Sequence, residues 1–274
     1  MPELPEVEVI RRGLQIHLPG RKVLDIVAGN KKLRLPVPRK NLKRYIQGAR
    51  VRAVDRRGKF LFIAMNNGAY LIVHLGMTGR LGLFPTPSPR LKHDHLRLQL
   101  DNNMQLRFND IRRFGSIQVL APGHDLRKTI LGNLGPEPLE QGYTVAYLQA
   151  RAAGKSRPLK NFLMDSRVVA GIGNIYACEI LFHAGLNPEK KVSRLSRSEW
   201  AQVVESSRYI LQKAIASGGT TISDFVNEAG KSGYFQLELQ VYGKQNWPCN
   251  CCATPVARKV MAGRSTFFCP RCQK

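Results

Sequence analysis

Near its C-terminal end the chain reads Cys249-Asn250-Cys251-Cys252 and then Cys269-Pro270-Arg271-Cys272, with sixteen residues between the two groups. Two Cys-x2-Cys pairs, each on a tight turn, supply four thiolates at the spacing of a tetrahedral zinc site, with a β-hairpin between them. Five of the six cysteines fall in the last 26 residues and Cys178 stands apart. A disulfide framework would spread its bridges along the chain and accompany an export signal, and neither is seen. The ligand set is therefore Cys249, Cys252, Cys269 and Cys272. Cys251 is a bystander, since the 249/252 spacing mirrors 269/272. Four thiolates leave no open coordination position, so the expectation is one structural Zn2+.

Upstream, composition narrows the partner. The chain has 274 residues, enough for one or two domains, with 43 Lys+Arg against 19 Asp+Glu and a formal charge of +24. Self-repulsion of that size disfavours compactness unless a polyanion offsets it, and phosphate contacts that release counterions make nucleic acid the natural partner. A ribosomal surface, an anionic membrane or a generally basic face would also carry such charge. Apolar runs such as Phe60-Leu61-Phe62-Ile63-Ala64-Met65 are strand-sized and far short of the ~20 residues of a membrane span. The opening Pro2-Glu3-Leu4-Pro5-Glu6 is no signal peptide. A soluble, cytoplasmic protein with no membrane partner is expected.

The first 130 residues read as β-rich after one helix. Pro5 suits a first helical turn, Glu6 and Glu8 complement its positive end, and Val7, Ile10 and Leu14 share a face. Strand-like pieces follow at Lys59–Ala64, Tyr70–His74, Leu96–Leu100 and Met104–Phe108, the third with strict apolar alternation. From about Leu131 the spacing turns helical, over Leu159–Met164, Gly173–Ala184, Ser198–Ser217 and Thr220–Glu228, with Ser196 and Thr220 as N-caps. This predicts an α+β protein divided as 1–130, 131–235 and 236–274.

The N-terminus carries its own chemistry. Initiator methionine is normally removed before proline, which would leave Pro2 as a free secondary amine beside the Glu3 carboxylate. Such an amine attacks an aldehyde to give a permanently cationic iminium. An α-amine titrates near ~7.7–8.0, so a useful fraction is already neutral. A helix that happens to start with proline is the plainer reading of the same residues.

At this point the residues resemble a known family. Pro2-Glu3-Leu4-Pro5-Glu6-Val7-Glu8 is similar to the start of the formamidopyrimidine-DNA glycosylases, bacterial enzymes that excise oxidised purines. His74-Leu75-Gly76-Met77, Lys92-His93-Asp94-His95, Asp110-Ile111-Arg112-Arg113-Phe114-Gly115 and Leu134-Gly135-Pro136-Glu137-Pro138-Leu139 also resemble it. So do Gly171-Ile172-Gly173-Asn174-Ile175-Tyr176-Ala177, Glu238-Leu239-Gln240-Val241-Tyr242-Gly243 and Gly263-Arg264-Ser265-Thr266-Phe267-Phe268-Cys269, all in family order.

The resemblance implies an N-terminal β-sandwich with flanking helices, a helix–two-turn–helix region and a C-terminal zinc β-hairpin. It implies a monomeric enzyme acting on damaged double-stranded DNA. Pro2 matches the nucleophile at C1′ of the damaged nucleotide, Glu3 the general acid/base, Lys59 the proton donor for β-elimination and Arg264 the donor for the second elimination. Asn174 matches a phosphate contact at the lesion, and His93 and Lys155 match DNA-contacting positions, although Arg157 and Lys160 crowd the stretch around Lys155. Met77, Arg112 and Phe114 match the side chains that fill the gap left by an extruded nucleotide, which must leave the stack before chemistry can reach it. Gly230–Phe235 resembles the loop that covers the flipped base. Val9 stands where threonine is common, and Cys251 is additional. The alternatives are an oxidised-pyrimidine glycosylase of the endonuclease VIII branch and a non-catalytic zinc-ribbon nucleic-acid-binding protein. Leu4 and the Met77/Arg112/Phe114 set resemble the purine branch, and a zinc ribbon leaves Pro2-Glu3 without a purpose.

Overall fold

The computed structural model describes residues 2–126, 129–218 and 239–274. They fall into two compact units, one ending at Gly132 and one beginning at Asn133 that includes the zinc hairpin. The segments Thr220–Glu228 and Gly230–Phe235 lie outside the described residues.

The first unit opens with helix α1 (Leu4–His17). A capping box closes its start: the Glu3 backbone N–H donates to the Glu6 carboxylate at 2.8 Å, and Pro5 sits in the first turn where its missing N–H costs nothing. Val7 and Leu14 are buried in the unit's core and Ile10 packs against it, the face expected from the spacing.

Eight strands follow, β1 (Val23–Ala28), β2 (Val51–Arg57), β3 (Phe60–Met65), β4 (Tyr70–His74), β5 (Gly79–Pro85), β6 (Asp94–Leu100), β7 (Met104–Asp110) and β8 (Ser116–Leu120), with a short helix α2 (Arg39–Asn41) after β1. They make two antiparallel four-stranded sheets, ordered β1-β6-β7-β5 and β2-β3-β4-β8. Leu96, Leu98, Leu106 and Phe108 from one sheet and Leu61, Ile63, Leu71 and Val73 from the other share one core, which makes the unit a β-sandwich. In β6 the three leucines are buried while Arg97 and Gln99 are half-buried, as strict alternation requires.

The second unit contains α3 (Val145–Ala152), α4 (Leu159–Leu163), α5 (Asn174–His183) and α6 (Arg197–Ala216), then a hairpin of β9 (Ala257–Met261) and β10 (Arg264–Phe268). Ser196 caps α6 in a capping box with Glu199: each backbone N–H is taken by the other's side chain, at 3.2 and 2.8 Å. Helix α5 is buried from Ile175 to Leu181, and around it pack Phe162, Trp200, Val203 and Leu211. Val241, Val256 and the buried Cys178 form a small second cluster, with Phe267 of the hairpin against it.

Candidate active site and DNA-facing loops

Helix α1 runs antiparallel to β2. Near its C-terminal end Gln15 accepts from the Val54 N–H at 2.7 Å, and nearer its N-terminus the Glu8 carboxylate meets Arg56 at 3.0 Å. The N-terminal half of α1 thus lies along the C-terminal half of β2, the strand that runs into the turn carrying Lys59. Glu3 is fully buried, an unusual place for a carboxylate. Glu8 fixes the helix: Arg11, Arg12 and Arg56 all donate to it at 2.9–3.0 Å. Burial alone would push its carboxyl up, but hydrogen bonds from Arg11, Arg56 and Arg12 outweigh that and hold it down at about 2.

His74 ends β4 opposite Phe60, their rings 4.7 Å apart. Burial, reinforced by the charges of Lys59 and Arg34, pushes its pKa down to about 4. The Gly76 N–H donates to Nδ1 at 3.1 Å, so the neutral ring carries its proton on Nε2.

Met77 and Phe114 are 38% and 45% exposed, so neither belongs to the core. They stand on two loops, after β4 and after β7, that touch back to back: a Cβ on Gly76 would lie 2.4 Å from the Phe114 carbonyl carbon and the Gly115 nitrogen. Only glycine permits that approach, and its φ of +67° lies where L side chains are uncommon. Asp110, fully buried, ties the loops. Its carboxylate accepts the Thr78 hydroxyl at 2.5 Å and the Gly115 N–H at 2.8 Å, and Thr78 in turn accepts the Arg112 N–H at 3.1 Å. Arg113 takes a φ of +60° between Arg112 and Phe114, and the Arg112 guanidinium rests over the Phe114 ring at 4.7 Å. His93, with φ +74°, joins this group through its carbonyl, which accepts the Asp110 N–H at 3.1 Å.

In the second unit Arg264 is exposed at the first position of β10, directly after the Ala262-Gly263 turn, both residues at positive φ. The strand behind it is held by helices. Asn174, first residue of α5, donates its amide to the Ser265 carbonyl at 2.9 Å, while its Oδ1 is buried without a partner among the described residues. The fully buried Lys160 donates to the Thr266 hydroxyl at 2.6 Å. Lys155 instead folds back onto the Arg151 carbonyl at 2.7 Å, at the end of α3. Glu179 on α5 accepts the N–H groups of Gln240, Val241 and Tyr242 at 2.8–3.0 Å. Asp110, Thr78, Lys160 and Glu179 had no role in the sequence reading; a buried charge declares itself only through partners far along the chain.

The four cysteine Sγ atoms lie within 4.8 Å of one another, with Cys249–Cys272 at 3.9 Å and Cys252–Cys269 at 3.5 Å. A tetrahedron with Zn–S bonds of ~2.3 Å has edges of about 3.8 Å, so these thiolates fit zinc without rearrangement. Hydrogen bonds from Thr254 pull the Cys252 thiol down, whereas burial raises Cys269 and the neighbouring Cys252 sulfur raises Cys272, so the metal must displace protons from part of the set as it binds. Cys251 is exposed and outside this cluster.

A β-sandwich whose exposed Met77 and Phe114 loops are held by a buried carboxylate, and a hairpin with four zinc-spaced thiols at its base presenting Arg264, on a chain of formal charge +24, define a zinc-finger protein suited to a polyanion. Comparison with known proteins gives the class its family. The "Formamidopyrimidine-DNA glycosylase N-terminal domain" matches residues 1–117, the "Formamidopyrimidine-DNA glycosylase H2TH domain" residues 134–226, and the "Zinc finger found in FPG and IleRS" residues 248–274. The formamidopyrimidine-DNA glycosylase of Marinobacter nauticus is 45% identical over 274 residues, covering 100% of both chains. A single-site mutant of Lactococcus lactis FPG, solved with Fapy-dG-containing DNA, superposes with a TM-score of 0.90 at 34% identity over 100% of both chains. Wild-type Lactococcus lactis Fpg, solved with DNA containing an oxidised pyrimidine, superposes with a TM-score of 0.89 at 34% identity, again over 100% of both. The chain belongs to the formamidopyrimidine-DNA glycosylase family, and it is an enzyme of that DNA glycosylase and abasic-site lyase class with one structural zinc site.

Proposed function

We propose that this enzyme performs base-excision repair by removing oxidised purines from duplex DNA through a covalent intermediate at Pro2, then cutting the abasic strand by β- and δ-elimination. The observation that carries the residue assignment is the buried Glu3 carboxylate next to Pro2, at the start of α1, whose N-terminal half lies along the strand that runs into the Lys59 turn.

In this reading the lone pair of the Pro2 amine attacks C1′ and the glycosidic bond breaks, the departing base taking a proton. Glu3 protonates the ring oxygen as the sugar opens, leaving an iminium. Loss of a C2′ proton then expels the 3′ phosphate, with Lys59 donating a proton to the leaving oxygen. Arg264 serves the 5′ phosphate in the second elimination, and water hydrolyses the iminium to free Pro2. Zinc supplies no step; when bound it holds the hairpin from which Arg264 projects. Asn174, His93 and Lys155 contact the DNA backbone, and Met77, Arg112 and Phe114 occupy the vacated stack. The chain acts as a monomer in the cytoplasm, with a catalytic β-sandwich domain in 1–130, a helix–two-turn–helix in 131–235 and the finger that carries Arg264 in 236–274.

A wider substrate range is favoured by one observation, the oxidised-pyrimidine complex of the Lactococcus lactis relative. Borohydride reduction on abasic DNA tests the central step. The processed protein should be trapped with mass spectrometry placing the link on Pro2, and an N-terminal extension should abolish it. A link on Lys59 would refute the assignment. Glu3→Gln should lose base excision more than cleavage of preformed abasic sites.

A further inference from the structure

A cavity of about 460 Å³ opens in the first unit between the end of β1 with its following loop and the residues leading into β6. Its size is that of a small-ligand site. Val27 and Leu91, 43% and 48% exposed, give it an apolar side, and Lys31, Arg90 and Lys92 also line it. His93 forms one edge, but the three cations have no role in the mechanism above.

The walls are tied down before any ligand arrives. The Gly29 N–H donates to the His95 carbonyl at 2.8 Å, and Arg39 donates to the Gly29 carbonyl and the Asn30 side chain at 2.5 Å each. A Cβ on Gly29 would sit 3.3 Å from the Asp94 carbonyl, so the two walls meet closely at their base. The acid among the lining residues, Asp94, is buried and spent inward. It accepts the Leu91 N–H at 3.0 Å and the Asn109 amide at 3.0 Å, and it faces Arg107 at 3.8 Å. Lys31, Arg90 and Lys92 are exposed and have no ion pair among the described residues. A fixed concavity with an apolar side and three uncompensated cations matches one ligand chemistry, a sugar bearing a phosphate.

We propose that this cavity is a second phosphate site, holding a sugar–phosphate unit away from the nucleophile. The proposal rests on the DNA reading above. The unit comes from the backbone of bound DNA or from a free mononucleotide, and the experiment separates the two. Binding of undamaged duplex is measured against salt for the parent protein, for Lys31→Ala/Arg90→Ala/Lys92→Ala, and for Lys40→Ala/Lys43→Ala/Arg44→Ala, which removes equal exposed charge outside the cavity. One lost phosphate contact should make the log–log salt slope shallower by ~0.9, so that over a fourfold rise in salt the cavity variant loses about threefold less affinity than the parent, and the control does not. Single-turnover excision at saturating DNA should be unchanged. If the slope is unchanged but the parent binds 5′-dGMP by calorimetry and the cavity variant does not, the source is a free nucleotide. Equal slopes together with no 5′-dGMP binding would overturn the proposal. A parent protein with a flat salt response would instead bring down the underlying DNA reading.

Discussion

Asp110 is the residue on which the Met77 and Phe114 loops depend, and its removal has a calculable effect. The side chain is fully buried and makes two hydrogen bonds with its carboxylate, at 2.5 Å from the Thr78 hydroxyl and 2.8 Å from the Gly115 N–H. A hydrogen bond to a charged group contributes about 1.5–3 kcal/mol. Local opening of the Gly115 amide in Asp110→Ala should therefore become about 10–150-fold easier, a tenfold change for each ~1.4 kcal/mol. Asp110→Asn separates the two bonds. Its amide oxygen must face the Gly115 N–H, because two donors cannot meet, which leaves the NH2 toward Thr78. Thr78 then receives a proton where it formerly gave one, so its hydroxyl must turn away from residue 110 and its bond from the Arg112 N–H weakens. Gly115 should keep its protection in the Asn variant and Arg112 should lose protection, whereas both lose it in the Ala variant. Amide hydrogen exchange resolved at these two residues is the assay, with single-turnover excision opposite cytosine as the functional readout. Excision should slow in both variants while affinity for undamaged duplex, set by cations, holds. Unchanged exchange at Arg112 and Gly115 in Asp110→Ala would refute the reasoning, since the loops would then be held by something else.

Arg112→Ala should lower excision of 8-oxoguanine opposite cytosine more than opposite adenine, because a guanidinium matches the paired acceptors of cytosine and meets a donor on adenine; the discrimination is worth about 1–3 kcal/mol, and an intact ratio in single-turnover assays would remove Arg112 as the reader. Cys269→Ser should reduce metal content and duplex affinity while the β-sandwich stays folded, read by metal analysis and by the protection of β3 amides. Glu8, held at about 2 against an ordinary 4.5, contributes stability that is present above pH 4.5 and lost as pH falls toward 2; by the linkage relation this is about 3 kcal/mol, and urea titrations should show that limb missing in Glu8→Gln. His74, lowered to about 4 from 6.5, takes its proton first in the unfolded chain, so its contribution is lost between pH 6.5 and 4, and His74→Gln should flatten that window.

The zinc ligands, α1 and the alternation of β6 were legible because each is a local pattern. Four strands were not. β2 reads Val-Arg-Ala-Val-Asp-Arg-Arg, whose charges hide its period, and β5 carries two glycines and ends on proline. Gly79 is there because a Cβ would fall 2.1 Å from the Leu75 carbonyl oxygen, a packing demand that no strand propensity expresses. Helix α3 was missed although Thr144 caps it by accepting the Tyr147 N–H at 3.1 Å; eight residues with two buried side chains leave little periodicity to read. Lys160 shows the same limit at the site. In sequence it is one of three cations crowded together, and only the fold brings it to Thr266, 106 residues away.

That distant contact changes how Arg264 is understood to be held. A two-stranded hairpin is marginal alone, and zinc pins only its Cys269 end. The remaining length of β10 is fixed from the helical side: Asn174 on the Ser265 carbonyl, Lys160 on the Thr266 hydroxyl, and Tyr242 edge-on to Phe267 with centroids 5.2 Å apart. Tyr242 is itself set by Glu179, whose carboxylate gathers the three N–H groups from 240 to 242. Each anchor is a desolvated polar group, which holds one geometry only while its partners are present. The strand behind Arg264 is thus fixed by the metal at one end and by α4 and α5 along its length. Zinc loss should accordingly loosen the Cys269 end first, while the Ser265–Thr266 contacts near Arg264 persist as long as Lys160 remains buried.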